Sequence, residues 1–166
     1  MAKVYLGIGS NIAPLQNIRI CLARLRLEFG QLEISPVYHC AAIGFEGEDF
    51  LNLVVGLETS LEPKDLSDRI KELEEQLGRH QDLAKFSDRC IDIDLLLHDL
   101  NVGNYDGLTL PRDEILKYPF VLLPLADLAP NLVHPLVDRT LQDLWQEMAQ
   151  TGHDLVTIDP ESVLQQ

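Results

Sequence analysis

The placement of helix starts and stops over the first hundred residues is the feature that most limits how this chain can fold. Prolines suited to a first helical turn stand at Pro14 and Pro63, and glycines follow the apolar stripes at Gly30 and Gly78. Within each stripe the apolar residues recur at helical spacing, and short apolar runs lie before, between and after the two stripes. The pattern predicts the order strand, helix, strand, strand, helix, strand.

The predicted strands are short and rich in branched residues. They cover 4–8, 32–38, 50–57 and 91–97. Two helices interleaved with such strands favour one mainly antiparallel sheet with helices packed on it, as in ferredoxin-like folds. We therefore predict an α+β fold with a βαββαβ core, as a single domain over residues 1–166. An irregular C-terminal extension should contain an apolar segment at 120–128 and a helix near 141–148.

The composition and net charge limit the kinds of molecule that this protein is expected to bind. The 166 residues are 46% hydrophobic and 24% charged, as in soluble globular proteins, and 13 basic residues against 27 acidic ones give a net charge of −14. Such a surface repels nucleic acids and anionic membranes, so a phosphorylated substrate would need metal ions or a local basic cluster. Three cysteines without a CxxC pair indicate neither a disulfide framework nor structural zinc, and they favour a cytoplasmic location.

The segment RCIDIDLLLHD carries the clearest chemical signal. Alternation along a strand predicts one apolar face and one face with two acids. The first face holds Ile91, Ile93, Leu95 and Leu97, and the second holds Asp92, Asp94, Leu96 and His98. Two carboxylates crowded on a half-buried face need a positive partner, and Mg²⁺, which takes oxygen ligands, is the simplest one. The alternative is an exposed edge strand whose acids face water.

Basic residues cluster just before this strand. Arg79, Lys85 and Arg89 lie in a polar stretch, 79–89, that we predict to be a long mobile loop. Bases beside a metal-holding pair suit phosphoryl transfer, where catalysis is mainly positioning and charge neutralisation. The alternative is a solvated loop with weak surface ion pairs. The chain contains no glycine-rich phosphate loop of the GxxxxGK[ST] type.

Several segments in one order together resemble the 6-hydroxymethyl-7,8-dihydropterin pyrophosphokinase family of folate synthesis. They are YLGIGSN at 5–11, FLN at 50–52, Gly78-Arg79, RCIDID at 89–94, TLP at 109–111 and PFVLLPLADLAP at 119–130. The resemblance implies a ferredoxin-like core and an enzyme that transfers pyrophosphate from ATP to the pterin hydroxymethyl group and releases AMP. It also implies a monomer whose partners are these two small molecules.

The resemblance assigns roles to individual residues. Asp92 and Asp94 match the carboxylates that hold two Mg²⁺ ions, and Arg79 and Arg89 match catalytic loop arginines. Pterin-binding positions are Phe50, Phe120 and Asn52, with backbone groups near Cys40 and Ile43. Nucleotide-binding positions are Glu74, Arg89, Leu95, Thr109 and Arg112.

Three positions depart from the family pattern on the phosphate side. Gly107, Tyr118 and Gln81 stand where the family usually has arginine, and Arg112 restores one positive charge. Each lost charge-assisted hydrogen bond weakens binding by roughly 1.5–3 kcal/mol. Two alternatives to the enzyme therefore stay open. One is a divergent paralogue that binds pterin with weak or no transferase activity, and the other is a related transferase with another donor or acceptor.

Overall fold

The computed structural model describes residues 1–40, 49–78, 90–152 and 156–158. The strands are β1 (Ala2–Ser10), β2 (Glu33–Ile34), β3 (Val37–Cys40), β4 (Phe50–Thr59), β5 (Asp92–His98), β6 (Gly103–Tyr105), β7 (Leu108–Leu110) and β8 (Val156–Ile158). The helices are α1 (Pro14–Phe29), α2 (Pro63–Gln76), α3 (Pro119–Leu128) and α4 (Leu141–Ala149), with a short 3₁₀ helix at Asp113–Leu116.

The main sheet is antiparallel and has the order β5-β1-β4-β3-β8, with β2 also paired to β4. Because β2 and β3 form one interrupted strand, this is the arrangement of a ferredoxin-like fold, and the predicted α+β class and element order are confirmed. The interruption falls at Ser35-Pro36, where proline cannot donate to a ladder. Ser35 Oγ accepts a hydrogen bond from Val54 N at 2.9 Å and keeps the two segments joined to β4.

Helices α1 and α2 cover one face of the sheet. Their buried stripes include Ile18, Leu22 and Leu25 on α1 and Leu66, Ile70 and Leu73 on α2. These side chains pack against the alternate residues of β1, β4 and β5, such as Leu6, Leu53 and Ile93. Burial of this apolar surface is the main force that holds the helices to the sheet.

Helix α3 covers part of the opposite face. The predicted apolar segment at 120–128 is this helix, and Leu122 and Leu125 pack against Val54 and Leu96. Helix α4, predicted near 141–148, lies on the outer side of α3 and buries Leu141 in the same cluster. Helix α3 lies against β4 and β3, and the polar side chains of Asp92 and Asp94 on β5 are half-buried.

A β-bulge corrects the predicted alternation along β5. Leu6 pairs with Leu95 and Tyr5 pairs with Leu97, so Leu96 is an extra residue in the ladder. Beyond a bulge the faces exchange. Leu97 therefore joins the α3-side cluster, and His98 faces α2, where its ring Nε2 lies 2.9 Å from Leu61 O. The predicted faces are right up to Leu96 and wrong for these last two residues.

Strands β6 and β7 form a hairpin that the sequence analysis did not predict. Asp106 and Gly107 form its two-residue loop with positive φ angles of 58° and 92°, and Tyr105 pairs with Leu108. An Asp-Gly pair is typical of such a turn. Leu108 and Leu110 enter the main core, which fixes the hairpin beside β5 and α2.

Other expectations fall outside this description. The loop predicted at 79–89 and residue Ile43 lie outside the described residues. Of the helices in the described ranges, none has the length and hydropathy needed to cross a membrane.

Candidate active site

On the face of the sheet that α3 covers, β1 carries two glycines, Gly7 and Gly9. They define a strip of the sheet along which β1 has no side chains. Gly9 pairs with Asp92 on one side and with Asn52 on the other, and Gly7 pairs with Asp94 and Val54. Directly opposed residues in an antiparallel sheet point to the same face. Asp92, Gly9 and Asn52 therefore form a cross-strand row, in which two strand spacings place the outer Cα atoms about 10 Å apart.

The glycine at the centre of this row is required by the side chains around it. A Cβ at Gly9 would lie 2.8 Å from Asn52 Oδ1 and 3.7 Å from Phe50 Cδ1. A Cβ at Gly7 would meet only the flexible end of Leu96, at 3.4 Å. The row thus brings Phe50 and Asn52 against the β1 backbone.

Asn52 has the partner that an amide on a buried strand needs. It is 9% exposed, and its Nδ2 donates to Cys40 Sγ at 2.8 Å. This bond turns the amide nitrogen toward β3 and the Oδ1 toward Gly9. Burial raises the pKa of Cys40 to about 11, despite a smaller opposing effect of the Asn52 hydrogen bond, so the thiol is neutral at ordinary pH.

The two predicted pterin-stacking rings lie on different elements. Phe50 is half-buried at the first residue of β4, and Phe120 is half-buried in the first turn of α3. Tyr118, just before that helix, stacks on Phe120 with ring centroids 5.0 Å apart and an interplanar angle of 14°. Sequence reasoning considered Tyr118 only as a missing arginine. The Tyr-Pro-Phe spacing at a helix start was the available signal for this aromatic pair.

The two acids of β5 lie on the strip as predicted, and a basic side chain of the same protein reaches one of them. Both are half-buried, and Arg112 Nη2 lies 3.1 Å from Asp94 Oδ1. Glu114 Oε1 lies 3.7 Å from the same nitrogen. Side-chain exposures of 31% for Arg112 and 27% for Asp94 leave this ion pair partly open to solvent.

The donor set at this point fits Mg²⁺. Asp92 and Asp94 offer hard carboxylate oxygens on one face, and each pairs with a glycine of β1. Within the described ranges no three His, Cys, Asp or Glu side chains come together as a metal cluster. Mg²⁺ commonly takes only one or two carboxylates and completes its octahedron with water and substrate phosphate, so a pair is sufficient.

Glu74 supports the strand that carries these acids. It is 4% exposed on α2, and its Oε1 accepts a hydrogen bond from Ile93 N at 2.6 Å, between the two aspartates. Because β5 is the last strand of the described sheet, this bond satisfies an edge donor that has no strand partner.

Burial, together with the nearby Glu74 carboxylate, raises the pKa of Cys21 to about 12.

Ser10 is a site-shaping residue that the sequence analysis quoted only as part of a turn. Its side chain is fully buried, and Oγ donates to Cys90 O at 2.5 Å. The bond joins the end of β1 to the residue two positions before Asp92. A serine directly after a glycine-rich strand was the only sequence signal for this link.

The remaining predicted positions divide into two groups. The Leu95 side chain lies in the helix-side core, so this residue can offer only main-chain groups to a ligand. Thr109 is exposed on β7, where its Oγ1 lies 3.5 Å from Asn104 Nδ2. Arg79, Arg89 and Ile43 lie outside the described residues, and their roles stay predictions.

Solved structures share this architecture. The chain superposes on HPPK-DHPS of Plasmodium falciparum bound to pteroate with a TM-score of 0.71, at 14% identity, covering 90% of this chain and 42% of that one. An HPPK-DHPS structure in complex with substrates gives a TM-score of 0.72 at 12% identity, covering 90% of this chain and 44% of that one. At these identities the likeness concerns the fold alone.

Sequence comparison adds the family. The family model described as 7,8-dihydro-6-hydroxymethylpterin-pyrophosphokinase (HPPK) matches residues 5–130. The 2-amino-4-hydroxy-6-hydroxymethyldihydropteridine pyrophosphokinase of Aquifex aeolicus is 38% identical over 150 residues, covering 89% of this chain and 92% of that protein. The Synechocystis protein of the same name is 33% identical, covering 88% and 76%. With most of its length matched in this way, the chain belongs to the HPPK family.

Proposed function

We propose that this protein transfers pyrophosphate from ATP to the hydroxymethyl group of 6-hydroxymethyl-7,8-dihydropterin in folate biosynthesis. The observation that supports the proposal is the cross-strand row, which has the Asp92 carboxylate and the Asn52 amide on either side of Gly9. The hydroxymethyl oxygen would attack the β-phosphorus of ATP and lose its proton. The bond from that phosphorus to the α,β-bridging oxygen would break, and AMP would leave.

On the phosphate side, we assign Asp92 and Asp94 to two Mg²⁺ ions. When bound, Mg²⁺ neutralises phosphate oxygens and aligns the reacting groups. The two aspartates lie on one face because side chains alternate along β5, and Glu74 binds the Ile93 amide between them. In a chain with a net charge of −14, such cations would favour the binding of a polyanion.

On the pterin side, Asn52 and the two phenylalanines supply recognition. An amide offers a donor and an acceptor to the edge of the heterocycle, and aromatic faces hold a flat ring by stacking. We expect Phe50 and Phe120 to enclose the ring, with Tyr118 supporting Phe120 from its other face. Main-chain groups near Cys40 and Ile43 complete this proposed pterin site.

For the nucleotide, we propose contacts from Arg89, Arg112 and Thr109, from Leu95 through its main chain, and from Glu74. Arg79 and Arg89 are proposed to stabilise the charge that develops during transfer. Two of the unusual positions have other uses: Gly107 forms the hairpin turn and Tyr118 stacks on Phe120. At these two positions, the residue that stands in place of arginine therefore has a role in the local structure. We further propose a monomeric, cytoplasmic protein that binds neither nucleic acid nor membranes.

The test is AMP formation from ATP, Mg²⁺ and the hydroxymethyl dihydropterin. We expect AMP to appear only when the pterin is present, with a matching amount of pterin pyrophosphate. Pterin binding without turnover at millimolar ATP and Mg²⁺ would reject the enzyme and favour the divergent pterin-binding paralogue. Turnover with another donor or acceptor, but not with this pair, would indicate a related transferase.

A further inference from the structure

Arg112 is fixed at both ends beside the metal-binding strand. Its main-chain N donates to Leu96 O at 3.0 Å, two residues beyond Asp94 on the same strand. Its guanidinium reaches back to Asp94 Oδ1 at 3.1 Å and lies 3.7 Å from Glu114 Oε1. The main-chain bond therefore sets where the guanidinium can reach, and two carboxylates from different segments determine where it rests.

The position of the guanidinium conflicts with a bound divalent cation. Oδ1 of Asp94 is an oxygen that Mg²⁺ would take, and two cations on one carboxylate oxygen repel each other. An oxygen bound to Mg²⁺ at about 2.0–2.1 Å attracts a guanidinium less strongly than a free carboxylate oxygen does, because the metal draws on the same negative charge. Metal binding at Asp94 Oδ1 therefore weakens the ion pair with Arg112.

We propose that Arg112 is an internal counterion of the metal-free protein, which Mg²⁺ displaces so that the guanidinium becomes available to the nucleotide phosphates. This inference rests on the proposed function and adds to it a coupling between metal and nucleotide binding. Glu114, with a side chain 16% exposed, keeps the released guanidinium close to the site. Arginine suits both positions because its planar group pairs well with carboxylate and with phosphate.

The coupling predicts effects of opposite sign from one substitution. Without nucleotide, Arg112→Ala removes the competing cation, so Mn²⁺, used as a spectroscopic substitute for Mg²⁺, should bind about two- to fivefold more tightly, as expected for a partly exposed ion pair. With saturating Mg²⁺, the same variant should bind a non-hydrolysable ATP analogue about tenfold more weakly, because a charge-assisted hydrogen bond is lost. A residue with only a structural role would not strengthen one affinity while weakening the other.

The experiment measures Mn²⁺ affinity by electron paramagnetic resonance and nucleotide affinity by calorimetry in the full chain. Lys117→Ala is the matched control: it removes one positive charge from the same segment, where Lys117 pairs with Asp113 at 2.7 Å. We expect both affinities in this control to stay within twofold of wild type. Arg112→Lys keeps the charge without the planar pair, so its Mn²⁺ affinity should lie between those of wild type and Arg112→Ala.

Each outcome decides one of the two proposals or both. If wild type forms AMP but Arg112→Ala binds Mn²⁺ no more tightly than Lys117→Ala does, the counterion role is wrong and the proposed function stands. Should Arg112→Ala fail to fold, unchanged Mn²⁺ affinity in Arg112→Lys would overturn the counterion role. If wild type neither binds Mn²⁺ nor forms AMP, both proposals are rejected.

Discussion

The two ends of the cross-strand row are built differently. We propose that the end at Asn52 binds pterin (the pterin end) and that the end at β5 binds phosphate through metal ions (the phosphate end). At the pterin end, Asn52 is buried and bonded to the neutral thiol of Cys40, with Phe50 against Gly9. At the phosphate end, Asp94 is half-buried and pairs with Arg112 across a partly exposed ion pair. The fold alone can hold uncharged groups in position. Neighbouring carboxylates instead need cations to offset their charge, and these cations bind reversibly. The pterin end should respond mainly to packing, and the phosphate end mainly to charge.

The largest effect should come from the phosphate end. Asp94→Asn keeps the size of the side chain but removes the negative charge that we propose holds a metal, so we expect kcat to fall by at least about a thousandfold. AMP formation measures this loss. Asp106→Asn is the matched control, because it removes a charge in an exposed turn where asparagine tolerates the positive φ. Similar kcat values in the two variants would remove Asp94 from the metal site.

The pterin end should respond to loss of its amide. Asn52→Ala removes the amide that we propose recognises the heterocycle, so pterin binding to the complex with Mg²⁺ and a non-hydrolysable ATP analogue should weaken about 10- to 100-fold. Nucleotide affinity, measured in the same calorimeter, should stay within twofold of wild type. Equal losses for both ligands would mean that the two ends are not separate.

A smaller change tests packing at the centre of the row. Gly9→Ala places a methyl group 2.8 Å from Asn52 Oδ1, so the amide must shift, and we expect pterin affinity to fall about tenfold. Gly7→Ala is the control on the same strand, where Leu96 can move aside from a contact at 3.4 Å. Equal pterin affinities in the two variants would show that the position of Asn52 does not limit binding.

The smallest effect concerns the thiol that holds Asn52. Because the folded pKa of Cys40 is raised to about 11, the folded state keeps its proton where the unfolded chain loses it. This contribution to stability is fully present below pH 9 and is lost as the pH rises from about 9 through 11. Wild type should therefore lose about 1–3 kcal/mol more than Cys40→Ser over that range in urea unfolding. If the free energy of unfolding changed with pH by the same amount in the two proteins, the buried, neutral thiol would be contradicted.

The sequence predicted the elements whose patterns are regular and local. Helices α1 and α2 follow from a proline start and an apolar stripe, and the Asp92 and Asp94 face follows from simple alternation. Alternation failed after the bulge at Leu96, because an extra ladder residue depends on how β1 and β5 meet. The hairpin at Asp106-Gly107 was missed although an Asp-Gly turn signal was present.

The site was predictable only in part for a similar reason. A buried amide between Leu51 and Leu53 indicated a polar partner, and the structure supplies Cys40, twelve residues earlier in the chain. The pairing of Arg112 with Asp94 could not be predicted from spacing, because it requires the segment after β7 to return beside β5. The edge-supporting role of Glu74 likewise appears only when α2 and β5 lie together.

The most direct test of the account is a crystal grown with the hydroxymethyl pterin, Mn²⁺ and a non-hydrolysable ATP analogue. Anomalous diffraction would locate the metal without reference to any assumed role. We predict Mn²⁺ peaks within coordination distance of Asp92 and Asp94, the pterin ring between Phe50 and Phe120, and its edge at Asn52. Metal bound elsewhere, with Arg112 still paired to Asp94, would contradict the account.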